Sequence, residues 1–344
     1  MYLVADIGGT KTRVGFVEDI SKQLPGGLCP EPVFCSIREY PSKKFGSFED
    51  ILQLFLREIP VTPKVIALGI AGPVSGAQVK TTNLPWIIDA KRISASMRGA
   101  SIILLNDLEA LGYGLSLCRS DVNKGRVIIQ QGHPEHGNAA VVAVGTGLGE
   151  SILFWDGSKH IPRPSEGGHA DFGPQDEEQI ELARYLLKKY SPVGHVSWER
   201  VLSGQFGFIN IYSFLRDEGF VPSSLLLDQA AKDQREEFGA LVAKEAENKS
   251  PIAQKTMALF ARLYGAEAGN LALKAFAVNG IFLGGGVTPR ILPWLQTGEF
   301  LKAFSAKGRQ RALLEKIPIH VIIDRDIALK GLALFAATHA LHKK

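Results

Sequence analysis

Residues 2–17 read Tyr2-Leu3-Val4-Ala5-Asp6-Ile7-Gly8-Gly9-Thr10-Lys11-Thr12-Arg13-Val14-Gly15-Phe16-Val17. Two apolar runs flank a tight glycine turn, the pattern of a β-hairpin. Gly8 and Gly9 carry no side chain, so backbone N–H groups there can approach an anion closely and point at it. The pattern recurs at residues 140–155, where Ala140-Val141-Val142-Ala143-Val144 leads into Gly145-Thr146-Gly147-Leu148-Gly149 and out through Glu150-Ser151-Ile152-Leu153-Phe154-Trp155. Two such turns predict two similar α/β halves with a nucleotide between them.

The rest of the sequence allows this. A chain of 344 residues, 45% hydrophobic and 22% charged, has the composition of a globular protein with room for two domains. The net charge of +4 is scattered, without the basic stripe that nucleic-acid binding needs. Cys29, Cys35 and Cys118 match no zinc spacing and no disulfide framework, which points to a reducing compartment. The first strand begins at Tyr2, leaving no room for a signal peptide, and no apolar run reaches the ~18 residues of a membrane span, so the expected location is the cytoplasm.

Strands are expected at residues 33–40, 64–70, 101–105, 279–283 and 319–323. Helices are expected at 48–58 with Ser47 as cap, 107–117, 176–189, through 223–276, and at 328–341. A turn-rich stretch covers residues 21–32. The β-β-β-α-β-α-β-α order restarts at Asn138, and no flexible linker separates the halves. The expected small domain is 1–108 completed by a closing helix at 327–344, and the large domain is 109–326.

Five places can carry chemistry. Asp6, beside an anion cradle, is repulsive to phosphate unless a cation lies between, which suits a hydrated Mg²⁺; the alternative is an ordinary turn-forming residue. Asn106-Asp107 ends a buried strand, where ligands of α/β sheets bind; Asp107 can take a proton from a hydroxyl while Asn106 holds its neighbour, or Asp107 can cap the next helix. Ser165-Glu166-Gly167-Gly168-His169-Ala170-Asp171 gathers acceptors and donors around two glycines, a polyol-binding pattern, with Asp171 read as structural. Glu199, from its spacing alone, is a first-turn helix residue with Ser197 as cap. Gly284-Gly285-Gly286 can lie flat against a base such as adenine, or can be a strand-to-helix turn with Thr288 as cap and Pro289 in the first helical position.

Taken together, seven motifs in order from residue 4 to about 290 resemble the bacterial-type glucokinases of the sugar kinase, heat-shock protein and actin superfamily. They are Asp-Ile-Gly-Gly-Thr-Lys-Thr, Gly-Ile-Ala-Gly-Pro-Val with Thr82-Asn83-Leu84-Pro85-Trp86, Leu-Asn-Asp, Gly-Thr-Gly-Leu-Gly, Glu-Gly-Gly-His-Ala-Asp-Phe, Glu-Arg-Val-Leu-Ser-Gly and Gly-Gly-Gly-Val-Thr-Pro-Arg. The resemblance implies a two-domain, actin-like (ribonuclease H-like) α/β fold with a duplicated core and an interdomain cleft that closes on the sugar. It implies transfer of the γ-phosphoryl group of ATP to the 6-hydroxyl of glucose, with Mg²⁺ and with Asp107 as general base. Asn83, Asn106, Asp107, Glu166, His169 and Glu199 would bind the sugar. Asp6, Ile7, Gly8, Gly9, Thr10 and Lys11, with Gly145, Thr146 and Gly147, would hold phosphates. Gly284, Gly285 and Gly286 would lie near the adenosine, and Asp6 would hold the metal through water. A homodimer is implied. The Cys-rich zinc motif of the related repressor/kinase subgroup is missing, since no Cys follows Cys118. The competing readings are a broader hexose kinase acting on mannose or glucosamine, a non-catalytic sugar-responsive regulator, and an actin-like ATPase.

Overall fold

In the computed structural model, Tyr2–Ile7 (β1) runs through the middle of a five-stranded sheet of order β3-β2-β1-β4-β7. Residues 1–20, 31–59, 62–115, 125–192, 194–204, 206–235 and 237–342 are described. The strands are β2 (Lys11–Val17), β3 (Phe34–Pro41), β4 (Val65–Ile70) and β7 (Ser101–Asn106), with a small separate pair β5 (Gln78–Lys80) and β6 (Ile87–Asp89). β1 is apolar at nearly every position because both of its faces are covered. Leu3, Ala5 and Ile7 pack with Phe48, Ile51 and Phe55 of α1 (Phe48–Glu58). Tyr2 and Val4 face the opposite way, onto Leu329, Leu332 and Ala336 of α13 (Ile327–His342). The period of two in a strand thus feeds two cores. Two further helices complete the set, α2 (Ala90–Ser96) and α3 (Asp107–Leu115).

β1 pairs antiparallel with β2 and parallel with β4, and β4 pairs parallel with β7. The register sets Asp6 opposite Gly69, and Ile70 opposite Asn106. Asp6, Asn106 and Asp107 therefore sit at the carboxyl ends of parallel strands in one sheet.

The chain divides into two compact units. One holds Met1–Gly125, His160–Pro164 and Asp324–Lys344, and the other Arg126–Lys159 and Ser165–Ile323. The residues of β11 (His160–Ser165) are thus shared between them. The division expected after residue 108 falls instead at Gly125, and the one expected after 326 falls at Ile323. The reason is the packing of α3. A Cβ on Gly331 would overlap the Ala110 carbonyl, and one on Gly114 would overlap that of Ile327. Glycines bring the backbones of α3 and α13 into direct contact, so α3 stays with the first unit.

In the second unit, β9 (Ala139–Val144) is buried throughout and forms a hairpin with β10 (Leu148–Trp155). β9 pairs parallel with β12 (Gly280–Gly284), which pairs parallel with β13 (Ile319–Ile322). The run β10-β9-β12-β13 repeats the pattern of β2-β1-β4-β7. β8 (Arg126–Gln130), which sequence reading missed, adds antiparallel to β13. Helices α4 (Glu177–Lys189), α5 (Trp198–Val201), α6 (Phe206–Asp217), α7 (Leu225–Lys232), α8 (Phe238–Glu247), α9 (Pro251–Ala275), α10 (Leu292–Leu295), α11 (Glu299–Ser305) and α12 (Arg311–Leu314) follow. α9 is the spine of this core, buried along most of its length. No helix among the described residues is long and apolar enough to cross a membrane. The stretch at 21–30, with Cys29, and residues 116–124, with Cys118 and the expected end of α3, lie outside the described residues.

Candidate active site

The first glycine turn is closed by the Gly8 N–H donating to the Lys11 carbonyl at 3.0 Å. Gly9 is there for room: a Cβ on it would stand 2.6 Å from Cβ of Asn83. Asn83 is held at the turn by its own loop, where Thr81 Oγ1 donates to the Leu84 carbonyl at 2.8 Å. The sequence did not reveal the brace beneath. Ser42, fully buried, donates from Oγ to the Gly8 carbonyl at 2.8 Å and from its N–H to the Thr10 carbonyl at 3.0 Å. Buried Thr12 bonds Ser42 Oγ at 2.9 Å. Two expected ligands change character here. The Ile7 side chain belongs to the core, so only its backbone faces the turn. Lys11 is paired with Glu39 across the β2–β3 ladder, and this bond, reinforced by Arg13, holds the Glu39 carboxyl below its ordinary range.

Asn106, and not Asp107, caps α3. Its Oδ1 accepts from the Leu108 N–H at 2.9 Å and the Glu109 N–H at 3.3 Å, and its Nδ2 donates to the Gly72 carbonyl at 3.0 Å. The Asn106 side chain is thus partly spent on backbone, which leaves one amide hydrogen for the expected sugar contact. Asp107 starts the helix, with Oδ1 3.0 Å from the Leu108 nitrogen. Burial, followed by the charge of Asp107, pushes the Asp6 carboxyl up to about 7, against the pull of Arg13. A carboxylate whose charge is disfavoured by burial and by a second carboxylate beside it gains from a nearby hydrated divalent cation. Among the described residues no group of three or more His, Cys, Asp or Glu is gathered as a protein-only metal cage.

The second unit gathers its own set. The Gly145 N–H donates to the Gly147 carbonyl at 2.9 Å, closing the second turn, and Thr146 is exposed at its tip. Glu199 reaches into this turn, and its Oε2 accepts the Leu148 N–H at 3.0 Å. Ser197 precedes α5 but makes no side-chain cap bond. The Gly204 N–H donates to the Gly145 carbonyl at 2.8 Å, so the Leu202-Ser203-Gly204 end of that motif also belongs to the turn. Glu166 and His169 are exposed on a short 3-10 turn, with His169 Nε2 3.8 Å from Glu166 Oε2. Asp171 stands apart, its carboxylate 3.0 Å from His195 and its backbone bridged to Ser197. Gly284 ends β12, and a Cβ on Gly285, whose φ is +84°, would overlap the Val144 carbonyl. Gly286 is open on its Cα face. Thr288 is not the expected cap: its hydroxyl turns back to the Gly284 carbonyl and bonds Tyr264.

The glucokinase family profile matches residues 3–339. The chain belongs to the glucokinase family. The glucokinase of Trichormus variabilis is 37% identical, over 98% of this chain and 99% of its own. That of Synechocystis is 35% identical over 98% of both. Among solved structures, a glucokinase from an Antarctic psychrotroph superposes with a TM-score of 0.77 at 26% identity, covering 98% of each chain. The glucokinase of Balamuthia mandrillaris in complex with glucose shares the fold, with a TM-score of 0.80 at 23% identity over 98% of this chain and 93% of its own. A mixed α/β kinase fold in two units is thus common to this chain and its glucokinase relatives.

Within the family frame, the structure sorts the expected residues. Asp6, Gly8, Gly9, Asn83, Asn106 and Asp107 gather in the first unit. Gly145, Gly147 and Glu199 gather in the second, with Gly285 packed under Val144. Ser42 and Tyr264 escaped sequence reading because each acts from a distant element, leaving no local spacing to read.

Proposed function

We propose that this chain transfers the γ-phosphoryl group of ATP to the 6-hydroxyl of glucose. The observation that supports it most is the placement of Asp6 and Asp107 at the carboxyl ends of parallel strands, in a chain that matches the glucokinase family almost end to end. Asp107 accepts the proton of the 6-hydroxyl as that oxygen attacks the γ-phosphorus, and ADP leaves with the bridging oxygen. The backbone N–H groups of the two glycine turns other than those of Gly8 and Gly145, which close the turns, face the phosphates, and the Gly284–Gly286 run faces the adenosine. Glu166, His169, Glu199 and Asn83 take the sugar hydroxyls. Mg²⁺, when bound with the nucleotide, would neutralise phosphate charge, with Asp6 holding it through water.

Both units are read as copies of one actin-like, ribonuclease H-type core, which the repeated run of one antiparallel and two parallel strand pairs supports. A homodimer is carried over from the resemblance and the cytoplasm from the sequence's lack of a targeting or membrane-spanning pattern, and light scattering of the purified chain tests the assembly. The function is tested by coupled assay of ADP release over glucose, mannose, glucosamine and fructose with Mg²⁺-ATP. Release that ignores the sugar would point to an ATPase. Equal rates over the panel would favour the broader hexose kinase.

A further inference from the structure

Glu150 is an unexpected residue for its place. It lies on β10, 1% exposed, two positions beyond the Leu148 N–H that Glu199 accepts. Among the described residues its Oε1 accepts no hydrogen bond from an N–H or hydroxyl group, and neither does Oε1 of Glu267, fully buried on α9, whose nearest cation is Lys274. A side-chain hydrogen bond joins Glu150 to Glu267, and two carboxyl groups can bond to each other only through a shared proton. The other polar groups around them are Asn270 and Lys274 of α9 and Lys307 beyond α11. Asn270 Nδ2 donates to Glu267 Oε2 at 2.8 Å, and Lys274 Nζ stands 3.6 Å from Glu267 Oε1. Lys307 Nζ is spent on Asn270 Oδ1 at 2.6 Å and the Ala266 carbonyl at 2.9 Å.

The other side of Glu150 faces the Glu166–His169 turn. A Cβ on Gly167 would overlap Glu150 Oε2, so the backbone of the turn lies directly on the carboxyl group. The main chain of Glu150 holds the same segment: its carbonyl accepts from Ser165 Oγ at 3.2 Å, and that oxygen accepts the Gly167 N–H at 3.2 Å. Glu166 lies between the two anchored residues.

We propose that Glu150 and Glu267 form a proton-sharing carboxyl pair that positions the 165–167 segment, and through it the sugar-binding Glu166 and His169. The inference rests on the sugar-site reading above. Burial, followed by the charge of Glu267 and a hydrogen bond with it, pushes the Glu150 carboxyl up to about 8. Below that pH the pair keeps its proton. Above it, two buried carboxylates repel each other beneath Gly167, and the turn shifts.

The test uses the full chain, with rates over glucose and over ATP from about pH 6.5 to 9 and melting curves at each pH. Glu150→Ala should raise the glucose KM about tenfold or more while leaving the ATP KM nearly unchanged. The wild-type glucose KM should rise above about pH 8. Glu150→Gln, whose amide donates to Glu267 at every pH, should hold a flat profile. A folded Glu150→Ala with wild-type glucose KM overturns the proposal, as does a flat wild-type profile or a Glu150→Gln profile that still rises. If Glu150→Ala does not fold, the Glu150→Gln profile decides. Glu166→Ala separates the two readings. An unchanged glucose KM there overturns the sugar site itself. A raised one, with both Glu150 variants behaving as wild type, overturns only the carboxyl brace.

Discussion

Glu199 Oε2 fills the space in which a Cβ on Gly147 would stand, and the same oxygen accepts the neighbouring Leu148 N–H at 3.0 Å. A residue expected to bind sugar is thereby built into a turn expected to bind phosphate. Gly147 is required for room and not for an unusual backbone angle. Gly147→Ala must displace Glu199, and a misplacement of about 1 Å at a reacting site can cost on the order of 10²-fold. We expect that loss in kcat/KM for glucose with little change in melting temperature. Wild-type kinetics in Gly147→Ala would show that the Glu199 carboxylate has no fixed place in the reaction.

The two turns of the proposed sugar site should respond differently. Glu166 is exposed and touches little of the fold, so Glu166→Ala should raise the glucose KM and leave the ATP KM near wild type. Glu199→Ala also strips the Leu148 N–H of its acceptor, so it should disturb both substrates. Calorimetry with glucose and with ATP analogues reads this difference. Loss of ATP binding in Glu166→Ala would mean that the roles are exchanged.

Asn106 and Asp107 are adjacent in sequence and separable in effect. Asp107→Ala should lower kcat by about 10²–10⁴-fold with the fold intact, because the cap of α3 is Asn106. Asn106→Ala should cost about 1–2 kcal/mol of stability, through the lost cap and the freed Gly72 carbonyl. Urea denaturation and turnover measured on both variants check the split. Near wild-type turnover in Asp107→Ala would remove it as the base.

His320 supplies a pH prediction independent of the site. Burial, with a smaller push from Arg126, lowers its pKa to about 4, and its ring stacks on Phe282 at 5.1 Å. A base whose folded pKa is depressed must take up its proton on unfolding. Its contribution to stability is therefore complete above its ordinary value of 6.5 and is lost as pH falls toward about 4. The loss should reach roughly 3 kcal/mol, taking about 1.4 kcal/mol per unit. His320→Leu should flatten the fall in melting temperature between about pH 6.5 and 4. A fall as steep as in wild type would place the acid sensitivity elsewhere.

Much of this molecule is written locally. The helix at Phe48–Glu58 is legible because Ser47 and Asp50 form a capping box around an apolar stripe, and all the needed residues lie within a few positions. The buried strands are legible because a strand covered on both faces is a continuous apolar run. β8 was not legible, since each of its residues is only partly buried and it is defined by pairing with β13, nearly two hundred residues away. The separation of α3 from the second unit was equally hidden, because glycines on α3 and α13 decide it together.

From the sequence alone came the glycine turns, the strand that delivers Asp107, and the family-ordered motifs that name the candidate ligands. Those features depend on residue type and short spacing, which local sterics and periodicity control. Only the tertiary structure decided which neighbour each ligand leans on. Asn106 is spent on a helix cap, Lys11 on Glu39, Thr288 on Gly284 and Tyr264, and Glu150 on Glu267. A hydrogen bond or a shared proton is made with whatever the fold brings within about 3 Å, and that partner is set by packing across the chain rather than by distance along it.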